Sequence, residues 1–357
     1  MIKSFVPAYR KLLDRGELQA RVAAAREMLR ACVLCPRRCR VNRLEGKLGA
    51  CSTGGEAMVS SYGPHFGEER PLVGSGGSGT IFLTNCNLDC IFCQNSDISH
   101  SGLGKEMRAE ELADIMLDLQ QRGCHNINWV TPTHQMPALL EALEIAARPL
   151  AGGSAPVHPE QGRRAPAKNA AGVGLRRSIA GGSGAMATER TPALQKTAAK
   201  NGLALPIVYN CGGYESPEAL RLLDGIVDIY MPDMKYGNSE SGQRLSGAPA
   251  YWGYCKEALA EMHRQVGDLI LDKRGLARRG LLVRHLVLPH NLADTKTVMA
   301  FLASLSKDTY VNVMAQYHPC YRAEEIRELS RPLAQEEYQQ AVNWAREAGL
   351  HRLDGQK

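Results

Sequence analysis

The sequence predicts an α/β fold: a partial (β/α)6 TIM-like barrel with an N-terminal Cys-rich metal-binding segment and a disordered insertion. Three observations carry this. From residue 79 onward, short β-branched and apolar runs alternate with longer stretches at helical spacing, which implies βαβ units and a parallel sheet. Seven of the eleven cysteines fall between Cys32 and Cys93, in two tight groups. Residues 149–197 are rich in Gly, Ala, Pro, Ser and Arg and hold almost no large apolar side chain, so they cannot offset the entropy of ordering.

Residues 1–30 place Leu12, Leu13, Leu18, Val22 and Met28 on one helical stripe. The segment 32–78 shows little periodicity, and the domain boundaries expected are 1–78 and 79–350. Within the second domain, strands are expected at 80–84, 127–131, 205–209, 226–231, 281–288 and 310–315. Helices are expected at 109–122, 136–147, 217–223, 251–266, 295–305 and 336–348. About six repeats suit a partial barrel better than a closed eightfold one of about 250 residues. Joining 143–147 to 200–203 makes one continuous helix ending at Gly202, which places the insertion near the end of that helix.

The net charge of +6 is unevenly spread. Residues 148–200 hold nine Lys or Arg against two acidic residues, leaving the rest of the chain at −1. That distribution gives the folded body no basic nucleic-acid face. The N-terminus lacks an apolar signal core, and no stretch approaches the ~18 apolar residues of a spanning helix, so the expected location is cytoplasmic, with no membrane partner. Clustered thiols in a reducing compartment point to metal and away from disulfides.

Cys86, Cys90 and Cys93 stand in the spacing C-x3-C-x2-C directly after an expected strand. Three thiolates on a 4Fe–4S cubane leave one iron without a protein ligand, open to chelation by the amino and carboxylate groups of a methionine. A cluster that both binds and reduces the sulfonium of S-adenosylmethionine could release a 5′-deoxyadenosyl radical. The alternative is zinc, which in structural sites prefers four protein ligands on paired short loops; that would make the chain a non-catalytic zinc-binding module.

Residues 77–95 resemble the radical S-adenosylmethionine superfamily, and more narrowly the pyruvate formate-lyase activating enzyme-like proteins of unassigned substrate. The likeness extends through 209–215, 228–235, 282–289 and 312–319. It implies a partial barrel binding the cluster and S-adenosylmethionine across the strand tops. It also implies electrons from flavodoxin or ferredoxin, and hydrogen-atom abstraction from a glycyl radical enzyme or, alternatively, from a peptide or small molecule. Residue by residue, the resemblance places Phe92 near adenine, Asn210 and Asp233 near the methionine carboxylate and a monovalent cation, Lys235 on that carboxylate, and His285 at the methionine or ribose end. Asn210 stands where the family has an aspartate. The family's Gly-Gly-Glu appears as Thr131, Pro132, Thr133 and His134, so backbone carbonyls or the Thr131 and Thr133 hydroxyls would meet the methionine ammonium.

Upstream, Cys32, Cys35, Cys39 and Cys51 give four thiolates within twenty residues, enough for zinc or a second cluster, and metal would help fold a segment with so few apolar residues. Cys124 and Cys255 read as packed thiols, Cys211 as a neighbour of the cofactor, and Gln316, Tyr317, His318 and Cys320 as the substrate end of the last strand. Glu68 and Glu69 read as a polar loop before the first barrel strand.

Overall fold

The computed structural model describes residues 5–149 and 201–354. All but the first residue of the expected 149–197 insertion lies outside these. The strands are β1 (Ala57–His65), β2 (Ser78–Leu83), β3 (Lys105–Met107), β4 (Ile127–Val130), β5 (Ile207–Cys211), β6 (Ile229–Pro232), β7 (Ile270–Leu271), β8 (Ala277–Leu286), β9 (Tyr310–Met314) and β10 (Leu353–Asp354). They lie in the order β10-β9-β8-β6-β5-β4-β2-β1-β3, with β7 on β8.

From β2 to β10 every neighbouring pair is parallel and each strand lies beside its predecessor, apart from the side strands β3 and β7. Such one-way winding, without a reversal of order, is that of a barrel left open at its edges. The helices between strands form where the spacing expects them. In Ala109–Gln121, Leu112, Ile115, Met116 and Leu119 are buried, and the Glu111 carboxylate accepts the Arg108 N–H at 3.0 Å. Pro217–Leu223 starts on a Ser216 hydroxyl that caps the Ala219 N–H at 3.2 Å.

Several features depart from the expected pattern, among them helix Ser239–Ser246 and the short strands β3, β7 and β10, which the spacing does not signal. The 1–30 stripe is two helices, Ala8–Asp14 and Glu17–Glu27, parted by Gly16 at φ +70°. The stretch 32–78 contains β1, which pairs antiparallel with β2 and carries β3 on its other side, so the sheet begins before residue 79. Periodicity hides β1 because only Ala57 and Val59 are buried; Ser60 to His65 have no apolar alternation. The N-terminal helix is pinned to the barrel by Asp228, which accepts the Ala8 N–H at 2.9 Å and the Ile207 N–H at 3.1 Å.

The sheet separates two environments. Its outer face, with Trp129, Tyr209, Tyr230, Val283 and Val313, packs on the helices in the main core. Its inner face carries a second apolar cluster that includes Leu72, Val208, Met231, Leu269 and Leu282. Two residues further along each strand, toward its C-terminal end, the same face turns polar: Asn210, Asp233 and Arg284. An apolar plug below and polar groups above direct the chemistry to the strand tops.

Residues on either side of 150–200 close on one another. The Leu203 N–H donates to the Ala146 carbonyl at 2.7 Å, and Arg10 bonds the Ala147 and Asn201 carbonyls at 2.6 Å each. Gly202 stands at φ +73°, where an added Cβ would lie 2.6 Å from the Ala147 oxygen. The helix Met136–Ala147 itself ends on Arg148 in extended backbone, so Gly202 shapes this junction and is not the expected helix cap.

Candidate active site

The loop that leaves β2 bears Cys86, Cys90 and Cys93. It is fixed to the end of helix Ser239–Ser246, where the Asp89 N–H donates to the Ser246 carbonyl at 2.9 Å and the Ile91 N–H to the Leu245 carbonyl at 3.0 Å. Each sulfur has a polar neighbour. The Leu88 N–H approaches Cys86 Sγ at 3.4 Å, the Ser246 hydroxyl donates to Cys90 Sγ at 2.9 Å, and Ser99 Oγ lies 3.1 Å from Cys93 Sγ. Such contacts suit thiolates that share their charge with iron.

Burial pushes the Cys90 thiol up to about 11 against the pull of Lys235, and raises Cys86 further. Without metal these groups keep their protons, and coordination supplies the drive to lose them. Among the described residues no three His, Cys, Asp or Glu side chains close in tightly enough to share a single metal ion. Zinc, with Zn–S bonds of about 2.3 Å, would need that closeness. Thiolates standing around a cubane do not. Three thiols at C-x3-C-x2-C spacing on one loop, each with a polar neighbour, are a donor set that fits a cluster.

Beside the thiols, the polar end of the inner face forms one network. Lys235 Nζ lies 2.7 Å from Asp233 Oδ2 and close enough to Cys86 and Cys90 to act on both. Arg284 Nε donates to Asp233 Oδ1 and its Nη2 to Asn210 Oδ1, each at 2.7 Å. Burial opposes ionisation of Asp233, but Arg284 and Lys235 outweigh it and hold the carboxyl below its ordinary range. Glu69 joins from the loop before β2: Asn312 Nδ2 donates to its Oε1 at 3.2 Å, and Arg284 Nη1 is 3.8 Å away. Its Oε2 is buried without a partner. Unsatisfied polar groups cost free energy that a bound polar ligand recovers. The inner face thus fits a zwitterionic cofactor.

Asn210, Asp233 and Lys235 are brought together with the cysteines, and Phe92 is buried in the same loop with its ring edge-on to Tyr317, centroids 6.1 Å apart. His285 is not with them. Strand alternation puts Arg284 inward and His285 outward, where its Nδ1 lies 2.6 Å from the Met234 carbonyl oxygen and its Nε2 2.9 Å from Thr295 Oγ1. With both nitrogens engaged and burial lowering it to about 4, it is a neutral core histidine, not a cofactor contact. Thr133 also differs from expectation: its hydroxyl donates to buried Glu215 Oε1 at 2.6 Å. Thr131 stays at the strand top, at φ +60°, with its N–H donating to the Asn210 carbonyl at 2.8 Å.

Cys124 and Cys255 are buried thiols as expected. Cys211 shares the outer parity of Tyr209 and neighbours Glu215, away from the polar inner face. Gln316 and His318 are exposed, Tyr317 is buried with its hydroxyl on the Leu329 carbonyl at 2.6 Å, and the Cys320 thiol is raised by burial first and by nearby Cys93 second. Glu69 belongs to the inner network and not to a solvated loop. The sequence reading missed Arg284 and Ser246, which no spacing signals: Ser246 is distant from the cysteine motif in sequence, and Arg284 is distinguished from its neighbour by parity alone.

The four upstream cysteines line one cavity together with Arg37, Arg38, Arg43 and His134. Cys51 also lines an adjoining cleft with Cys86. Among the described residues, no helix is long and apolar enough to cross a membrane.

Residues 80–270 match the Radical SAM superfamily. The chain is 30% identical over 343 residues to an uncharacterized protein of Methanocaldococcus jannaschii, a match covering 93% of this chain and 79% of that protein. Similar solved structures include HydG, a maturase of the FeFe hydrogenase (10% identity, TM-score 0.42, 74% of this chain and 47% of that one). Another is TYW1 with a bound lysine–pyruvate adduct (9% identity, TM-score 0.39, 75% and 73%). The chain thus spans about half the length of HydG. With more than half of its residues inside the matched span, the chain belongs to the radical S-adenosylmethionine superfamily, whose enzymes pair a 4Fe–4S cluster with S-adenosylmethionine.

Proposed function

We infer that this enzyme binds its cluster through Cys86, Cys90 and Cys93, reductively cleaves S-adenosylmethionine there, and abstracts a hydrogen atom from a glycyl residue of a partner protein. The observation that carries the reading is the Lys235–Asp233–Arg284–Asn210 network at the strand tops, beside the three thiols.

In this reading Lys235 holds the methionine carboxylate, and Asp233 fixes the lysine. Arg284, bonded to both Asn210 and Asp233, supplies positive charge where the resemblance implies a monovalent cation, which accounts for an asparagine at 210. Phe92 and Tyr317 offer an apolar edge for adenine, and Thr131 a carbonyl and a hydroxyl for the ammonium. When bound, cluster and cofactor supply the 5′-deoxyadenosyl radical. Flavodoxin or ferredoxin is the expected reductant, since plant-type ferredoxins work near −400 mV, roughly the potential required. The glycyl target rests on the resemblance of residues 77–95 to activating enzymes.

Anaerobically reconstituted protein, given reductant and S-adenosylmethionine, should form 5′-deoxyadenosine and methionine, and Cys90→Ala should lose both cluster and product. Product persisting in that variant would sink the cluster assignment. Deuterium from glycine-labelled partner protein should appear in the 5′-deoxyadenosine. Deuterium arriving only from a labelled metabolite or peptide would favour the small-molecule or peptide-modifying alternative.

A further inference from the structure

His134 lines the cavity of the four upstream cysteines, and its ring is 1% exposed. Its Nε2 lies 2.9 Å from the Thr84 carbonyl oxygen and 3.1 Å from Gln135 Nε2. The tautomer that donates from Nε2 to the carbonyl, the stronger acceptor and the shorter contact, leaves an unshared pair on Nδ1. That Nδ1 is buried and has no hydrogen-bond partner. A carbonyl that fixes the tautomer through one nitrogen while the other stays free is the arrangement found behind metal-bound imidazoles.

We propose that this cavity holds a second iron–sulfur cluster, with His134 Nδ1 as one of its ligands. Two further observations support a cluster over a single ion. Cys32, Cys35, Cys39 and Cys51 surround a void and do not converge on a point: among the described residues no three candidate ligands are close enough to share one ion, as zinc would require. Arg37, Arg38 and Arg43 line the same void, and buried Arg43 points Nη1 at Cys32 Sγ from 3.7 Å; this suits the net negative charge of a thiolate-bound cluster. Independently of that choice, a Cβ at Gly49 would stand 3.0 Å from Cys39 Sγ, so the loop before Cys51 packs on the rim of the void. Five donors face four irons, which makes one thiol dispensable. Cys39, the one of the four that is not buried, is the expected one. The site is independent of the inferred reaction, and its test dispenses with the first cluster.

The full chain carrying Cys86→Ala, Cys90→Ala and Cys93→Ala is reconstituted anaerobically with iron and sulfide. About four irons and four sulfides per chain are expected to remain. After reduction, pulsed electron paramagnetic resonance should show a nitrogen coupling that changes when histidine is labelled with 15N. It should vanish in His134→Ala, while Cys39→Ala keeps its iron. The isotope experiment needs no change at position 134, so it stands even if the alanine variant folds poorly. Stoichiometric zinc with no reconstituted iron would overturn the cluster. Four irons without a histidine nitrogen coupling would overturn the ligand.

Discussion

Thr131 is a β-branched residue in left-handed backbone, φ +60°, at the top of β4. Such a conformation costs about 1–3 kcal/mol and persists only where its surroundings hold it. Here the hold is the 2.8 Å bond from its N–H to the Asn210 carbonyl. Thr131→Gly relieves the strain but adds unfolded-state entropy of about 0.5–1 kcal/mol. The net expectation is stabilisation by roughly 1 kcal/mol, seen as a Tm rise of a few degrees in calorimetry of the cluster-free protein. An unchanged or lower Tm would show that the strain is not stored there. Ser246 acts at the same scale. Its hydroxyl donates to Cys90 Sγ at 2.9 Å and is backed by Tyr236 Oη at 2.7 Å. Hydrogen bonds to cluster sulfurs raise the reduction potential. Redox titration of reconstituted Ser246→Ala should therefore give a lower midpoint than the parent protein, with iron content unchanged.

Between elements, Glu215 ties β5 to the turn after β4, accepting from Tyr209 at 3.1 Å and from Thr133 at 2.6 Å. Burial raises its carboxyl from 4.5 to about 7 despite those donors. The folded state thus holds a proton that the unfolded chain releases near 4.5, and stability falls as pH climbs from that value to about 7, then levels off. The expected loss is on the order of 3 kcal/mol. Asp228, which burial also raises to about 7, adds a fall over the same range. Melting the cluster-free protein from pH 5 to pH 8 should show both, and Glu215→Gln, which keeps an acceptor but cannot ionise, should reduce the slope and leave the Asp228 part. A slope undiminished in the variant would remove Glu215 from the account.

This is also the scale at which the sequence was most and least legible. Helices such as Ala109–Gln121 follow from apolar spacing, and the order of the parallel strands follows from strict alternation of element types. β1 escaped because half of it is solvated and polar. Arg284 and His285 are adjacent in a run apolar on both sides, so nothing in the pattern says which faces inward; only the register with β6 and β9 decides it. Glu69 and His134 escaped for another reason. Each gains its meaning from partners distant in sequence, Arg284 and Asn312 for one and the N-terminal cysteines for the other.

At the scale of the molecule, a one-way sheet places every strand top at one end, and each helix returns the chain to the other. Helix Met136–Ala147 leaves the top of β4 and ends where β5 begins, so residues 149 and 201 lie at the end away from the cysteine loop. The bond from Leu203 to Ala146 and the Arg10 bridge close this junction. Replacing 150–200 with a short Gly-Ser linker should leave Tm and cluster loading unchanged, or raise Tm slightly, since loop-closure entropy changes by only about 0.6 kcal/mol per doubling of length. A loss of several degrees would mean that the replaced residues stabilise the barrel.

That junction also offers a handle. A biotin or an electrode linker attached there would anchor the enzyme by its base, leaving the rim that bears the cysteine loop clear. Films oriented in this way would permit current and turnover to be recorded on the same molecules.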